Sequence, residues 1–174
     1  MKKYLLFVVV TAFVVCLGLP SQAKVSGGRK GNFVLGGYAP GLFVGSKHIG
    51  AMISLGIDGE YYFLENLSAN FRLEEATDFK VGDPPHSILT FVARARYVFD
   101  VGNSGRWAIY VQGGGGGALI GSNHGAGDLS IPGGGFWYQW NDHWSFGADA
   151  NLHVLIRDET AIAFDITPAF RYRF

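Results

Sequence analysis

Cysteine is nearly absent from the chain: Cys16 is the single one in 174 residues. A disulfide framework and a Cys-based zinc site are both excluded. Charge is scarce too, at 16% of residues, and balanced at 14 basic against 14 acidic side chains. That excludes a disordered acidic or basic tail and a polycationic nucleic-acid binder, so no nucleic-acid partner is expected. Beyond the first segment there is no apolar run near the length of about 18 residues that a membrane-spanning helix requires. Glycine is abundant, with 26 residues, but lacks the Gly-X-Y period of collagen. The tract Gly113 to Gly117 is not followed by Lys and Ser or Thr, so it is no phosphate-binding loop.

The first segment reads as an address. Lys2 and Lys3 precede the apolar run Tyr4 to Leu19, and small residues follow at Ser21 and Ala23. This is the pattern of a cleaved secretory signal peptide over residues 1–23. Residues 24–174 then form one domain with no cysteine and no linker, and its acids slightly outnumber its bases once Lys2 and Lys3 are gone.

The remainder alternates with a period of two. Ile162, Phe164, Ile166, Pro168, Phe170, Tyr172 and Phe174 share one parity, and Asp165, Thr167, Arg171 and Arg173 the other. A helix would scatter both classes, whereas a strand gives one apolar and one polar face. The same pattern covers Ala51 to Phe63, Leu67 to Glu74, Leu89 to Phe99 and Trp144 to Val154. Glycines blur it at about residues 31–44, 107–120 and 129–140. The expected total is eight strands, with Pro168 marking a bulge or a position at the seam where no N–H is needed.

The polar face separates a soluble sandwich from a membrane barrel. Lys24, Lys30, Lys47 and Lys80 all fall outside the proposed strands. The polar parity instead carries Arg72, Arg94, Arg96, Arg171 and Arg173 with Asp58, Glu60, Glu74, Asp149 and Asp165. Arginine as the sole base, matched in number by acids, predicts an enclosed and paired interior. The apolar parity then faces lipid, and the sheet must close because unpaired edges cannot sit in hydrocarbon. The fold class is an all-β, antiparallel, up-and-down transmembrane β-barrel. Phe63, Phe99, Trp107, Trp140, Trp144, Tyr172 and Phe174 crowd the short turns and the C-terminus as an interfacial aromatic girdle. That end, with both termini, is expected to face the periplasm.

Over residues 24–174 the chain resembles the small outer-membrane β-barrels of the OmpA/OmpX type. The terminal strand Phe170-Arg171-Tyr172-Arg173-Phe174 is similar to the signal read by the outer-membrane assembly machinery, with Phe170, Tyr172 and Phe174 at alternate positions. The resemblance implies a Gram-negative-type bacterium, the outer membrane as location, and that machinery as a partner during insertion. Lipid and lipopolysaccharide are the other expected partners, the state being a monomer or small homo-oligomer. The last strand stands at the end of the sequence, so the peptidoglycan-binding domain of full OmpA-type proteins is not expected.

An eight-stranded interior is just wide enough for side chains to fill it. The favoured role is therefore structural or interactive, with a charge-paired, largely closed lumen; a narrow low-conductance channel is an alternative. His143-Trp144-Ser145 resembles the His-x-Ser element of lipid A deacylase barrels, which makes a lipid A-modifying enzyme a further alternative. Its place in a periplasmic turn and the inward parity of both side chains argue for turn and girdle instead. His48, His86 and His124, with Asp78, Asp83, Asp128, Asp158 and Glu159, fall in the outward connections, but no tight spacing marks a metal site. No catalytic, cofactor or metal residue is assigned. Gly113 to Gly117 and Gly133 to Gly135 are expected to give curvature, with Trp137 filling space beside Gly135, or else to line a shallow outer groove.

Overall fold

The computed structural model describes residues 29–46, 49–78, 87–101, 106–121, 124–157 and 160–174. The expected signal segment lies outside them. The strands are β1 (Phe33–Gly45), β2 (Gly50–Tyr62), β3 (Leu67–Thr77), β4 (Ser87–Val101), β5 (Trp107–Ile120), β6 (His124–Gln139), β7 (Trp144–Ile156) and β8 (Ala161–Arg173). Each pairs antiparallel with its sequence neighbour, and β8 returns to β1 to close the barrel. Closure leaves no unpaired edge.

The alternation sets the two faces. Leu55, Phe71, Val111, Ile131 and Phe164 are exposed on the outside, while Asp58, Arg72, Arg94, Asp149 and Asp165 are buried within. A water-soluble protein buries the opposite classes. This inversion is what a barrel wrapped in hydrocarbon requires.

Two bulges explain where the period fails. Tyr38 pairs with Gly56 and Gly41 with Ser54, so Ala39 and Pro40 stand against Leu55 alone. Inward positions accordingly change from Val34, Gly36 and Tyr38 to Gly41 and Phe43. In β6, Ser130 pairs with His153 and Gly133 with Asn151, leaving Ile131 and Pro132 against Leu152. Here the inward set switches from Asp128 and Ser130 to Gly133 and Trp137. An extra residue inverts every side chain beyond it, so a strict two-residue pattern cannot persist through either strand. β6 also begins earlier than expected: residues 124–128 are strand rather than connection, with Gly125 and Gly127 paired to Leu119 and Gly117. Pro168 stays in register with Ala148 on β7. It falls where the β1–β8 ladder is interrupted, with the extra residue on β1.

The interior has three layers. At the end carrying both termini, Val34, Tyr62, Val98, Ala108, Tyr110 and Trp137 pack together. At the opposite end Phe43, Met52, Ala76, Ile88, Ala118, Leu155 and Ala163 form a second apolar cluster. The charged side chains lie between. Six or seven apolar residues at each end are enough to cap so narrow a tube.

Candidate functional site: the charged interior

Arg72, on β3, is the hub of the half remote from the termini. Its Nη1 donates to Asp149 Oδ2 at 2.7 Å, and its Nη2 lies 2.8 Å from Glu74 Oε2 and 3.3 Å from Asp165 Oδ2. The guanidinium stacks 4.1 Å from the centre of the Tyr38 ring. Strand alternation puts Arg72 and Glu74 on one face, and closure of the barrel brings β7 and β8 across to meet them. Arginine's planar fork suits this multidentate role.

Arg96, on β4, serves the other half. Nε donates to Gln112 Oε1 at 2.8 Å, Nη1 to Glu60 Oε2 at 2.8 Å, and Nη2 lies 3.5 Å from Asp58. Arg171 pairs with Glu60 and stacks 4.2 Å from Trp137, which itself stacks on Tyr110 at 4.6 Å. Tyr38 donates to Asp58 at 2.7 Å, and Asn70 and Ser68 donate to Asp58 and Glu60. Arg94 bridges the halves through amides, donating to Asn70 at 3.2 Å and Asn151 at 3.1 Å. Both of these acceptors are neutral amides.

Of the ten charged residues expected inside, nine are buried there. Arg173 is the exception. It is the last residue of β8, beyond the terminal apolar layer, and donates at the rim to the Asp142 carbonyl at 2.8 and 3.1 Å. His153 is buried on the inward parity of β7, and Asp128, expected in an outward connection, joins it inside. His153 Nδ1 lies 2.9 Å from Asp128 Oδ2 and its Nε2 2.9 Å from Asp165 Oδ1. The inward parity of β7 contains His153, but Asp128 is reached only by carrying the pattern through the Ile131–Pro132 bulge.

The girdle aromatics Phe63, Phe99, Trp107, Trp140, Trp144, Tyr172 and Phe174 lie at the terminal end of the barrel. They join in edge contacts: Trp144 with Tyr172 at 5.0 Å, Tyr172 with Phe174 at 5.0 Å, and Tyr97 with Phe99 at 4.8 Å. Phe170 faces outward beneath them. His143 stacks on Tyr172, with Nδ1 at 3.1 Å from the Arg173 carbonyl. Ser145 points inward and is buried. His48, His86, Asp83, Asp158 and Glu159 lie outside the described residues. His124 opens β6, and Asp78 is buried just past β3.

The glycines serve more than one purpose. A Cβ on Gly114 or Gly116 would collide with the Ala93 or Phe91 carbonyl of β4, so only glycine permits this backbone approach. A Cβ on Gly135 would strike the Tyr110 ring, which fills that space together with Trp137. Gly113, on the outer face, lines a shallow groove of about 550 Å³ with Ala93, Ala95, Phe33 and Phe71.

The closed eight-strand tube is shared by several solved structures. Neisserial surface protein A is 14% identical, with a TM-score of 0.66, and the match covers 88% of this chain and 100% of that one. OprG from Pseudomonas aeruginosa is 13% identical, with a TM-score of 0.61 over 87% and 99%. Ail, the attachment invasion locus protein of Yersinia pestis, is 14% identical, with a TM-score of 0.58 over 83% and 99%. The chain has the fold of the small outer-membrane β-barrels. No protein-family model matches it, and no curated protein does. Such low identities carry the architecture and leave the chemistry to this chain's own residues.

Proposed function

We propose that this chain is a non-enzymatic outer-membrane barrel with a structural or interaction role and a shut lumen. One observation carries the reading: the ionic layer is enclosed between two apolar layers, one at each end. A conducting pore keeps a continuous polar path, and the apolar cluster of Phe43, Met52, Ile88 and Leu155 stands across it at one end. The aromatic girdle supports placing both termini and the short turns on the periplasmic side, after removal of residues 1–23. The opposite connections then face outward, where lipopolysaccharide and external partners are met. Phe170, Tyr172 and Phe174 serve as the recognition strand for the assembly machinery, and the inserted state is a monomer or small homo-oligomer.

Planar-bilayer recording tests the shut lumen. The purified barrel is expected to give no stable single-channel steps. Regular steps that vanish on replacing Arg96 would establish the narrow channel instead. Lipid A from cells with and without the gene is expected to have the same mass; a lost or added acyl chain would establish the enzyme.

A further inference from the structure

Between the two apolar clusters, six buried carboxylates (Asp58, Glu60, Glu74, Asp128, Asp149 and Asp165) face four buried guanidiniums, of Arg72, Arg94, Arg96 and Arg171, while Asp78 is buried separately past the end of β3. Among the described residues this layer is two positive charges short before the His153 ring is counted. The shortfall lies in the half remote from the termini, where four of the acids meet Arg72 and the imidazole of His153. Buried charge without compensation is strongly unfavourable. Two protons or one divalent cation would correct it, and the geometry distinguishes between them.

We infer that Glu74, His153 and Asp165 bind one divalent transition-metal cation of the zinc class, in a site that the charge-paired reading of the lumen does not include. One ligand atom from each of the three residues lies within 4.8 Å of the others. Arg72 takes one oxygen of each acid, Glu74 Oε2 at 2.8 Å and Asp165 Oδ2 at 3.3 Å. The remaining oxygens are left for the ion. Glu74 Oε1 is buried without a hydrogen-bond partner, on a side chain only 1% exposed. Asp165 Oδ1 sits 2.9 Å from His153 Nε2, and parting by about 0.5 Å would let both ligate one tetrahedral ion with bonds of about 2.0–2.2 Å. Asp128 accepts from Nδ1 of the same ring at 2.9 Å. A carboxylate behind a ligating histidine fixes the tautomer that turns the Nε2 lone pair toward the metal. On binding, Nε2 gives its proton to solvent and the ion's two charges close the deficit. Phe43 covers the site, its ring 5.6 Å from that of His153, so the ion is taken up as the barrel folds.

The chain is unfolded in urea and refolded into detergent micelles with or without zinc, treated with chelator, and assayed for metal by mass spectrometry. Folding is checked by the heat-dependent shift on gels. The folded barrel should retain about one zinc and unfold at higher urea than the metal-free barrel. His153→Gln and Glu74→Gln should fold and lose the metal, Asp128→Asn should weaken binding by about tenfold or more, and His143→Gln should bind normally. Should His153→Gln fail to fold, cobalt(II) in the unaltered barrel must show the intense visible bands of a low-symmetry nitrogen–oxygen site. Folded barrel free of metal after refolding with zinc, equal loading of the His153 and Glu74 variants, or a colourless cobalt form would overturn the inference. Protons would then balance the core.

Discussion

Replacing Arg72 with Met is the most direct probe of the ionic core. Methionine is shorter but unbranched and close in volume, and Arg72 is only 2% exposed, so the change acts inside the packed core. The change removes contacts to Asp149, Glu74 and Asp165 at 2.7, 2.8 and 3.3 Å and the stacking on Tyr38. Breaking one buried pair by deleting a partner costs about 3–5 kcal/mol, because the remaining charge is orphaned. Three carboxylates lose their guanidinium here, Asp149 keeping Gln112 and Asp165 keeping His153, which places the expected loss within that range. Urea unfolding of the refolded barrel, followed by tryptophan fluorescence, measures it. Adding Asp149→Asn to Arg72→Met should recover part of the loss, since one orphan is neutralised. Arg72→Lys should fall between, keeping the charge but not the planar fork. A loss below about 1 kcal/mol, the range of exposed pairs, would refute the reasoning and show that water screens the lumen.

Other outcomes follow from particular contacts. Gly114→Ala should destabilise the barrel by about 1–3 kcal/mol, as overpacking does, because its Cβ meets the β4 backbone. Gly115→Ala should be nearly neutral, since its Cβ finds ordinary contacts at 3.5 and 3.8 Å; equal effects in urea melts would refute the distinction. Arg29→Ala removes an ion pair with Asp100, a side chain 48% exposed, and should cost less than about 1 kcal/mol in the same melts. Asn141→Cys, in the β6–β7 turn, should resist a membrane-impermeant maleimide on intact cells while Gly125→Cys reacts; the reverse would invert the proposed orientation.

Much of this architecture is legible in the residues alone. In β2, β3, β4, β7 and β8 inward and outward positions alternate with no register break between β2 and β3, β3 and β4, or β7 and β8, and each inward charge there, apart from Arg173, lies where its parity places it. Arg173 departs because it stands one step past the apolar layer, where a turn carbonyl is nearer than any acid. β1 and β6 were harder. Each carries an extra residue beside Pro40 or Pro132 that exchanges its faces midway, and Gly125 and Gly127 give β6 no side chains by which to recognise its first turn of ladder. That lost stretch hid Asp128, and with it the reason His153 sits among acids. Pairing across the tube is equally invisible in one dimension: nothing in the spacing says that Arg72 meets Asp149 on β7 and Asp165 on β8.

The apolar lids at the two ends also set how the core answers to its medium. Dissolved ions weaken exposed attractions beyond about 10 Å at moderate ionic strength, but they act only where they can enter. Behind Phe43 and Leu155 on one side and Val98 and Trp137 on the other, Arg72 is 2% exposed and Arg96 not at all. Fresh water and brine should hold this barrel together equally well, while the Arg29–Asp100 clasp on its rim loosens as the sea around it grows saltier.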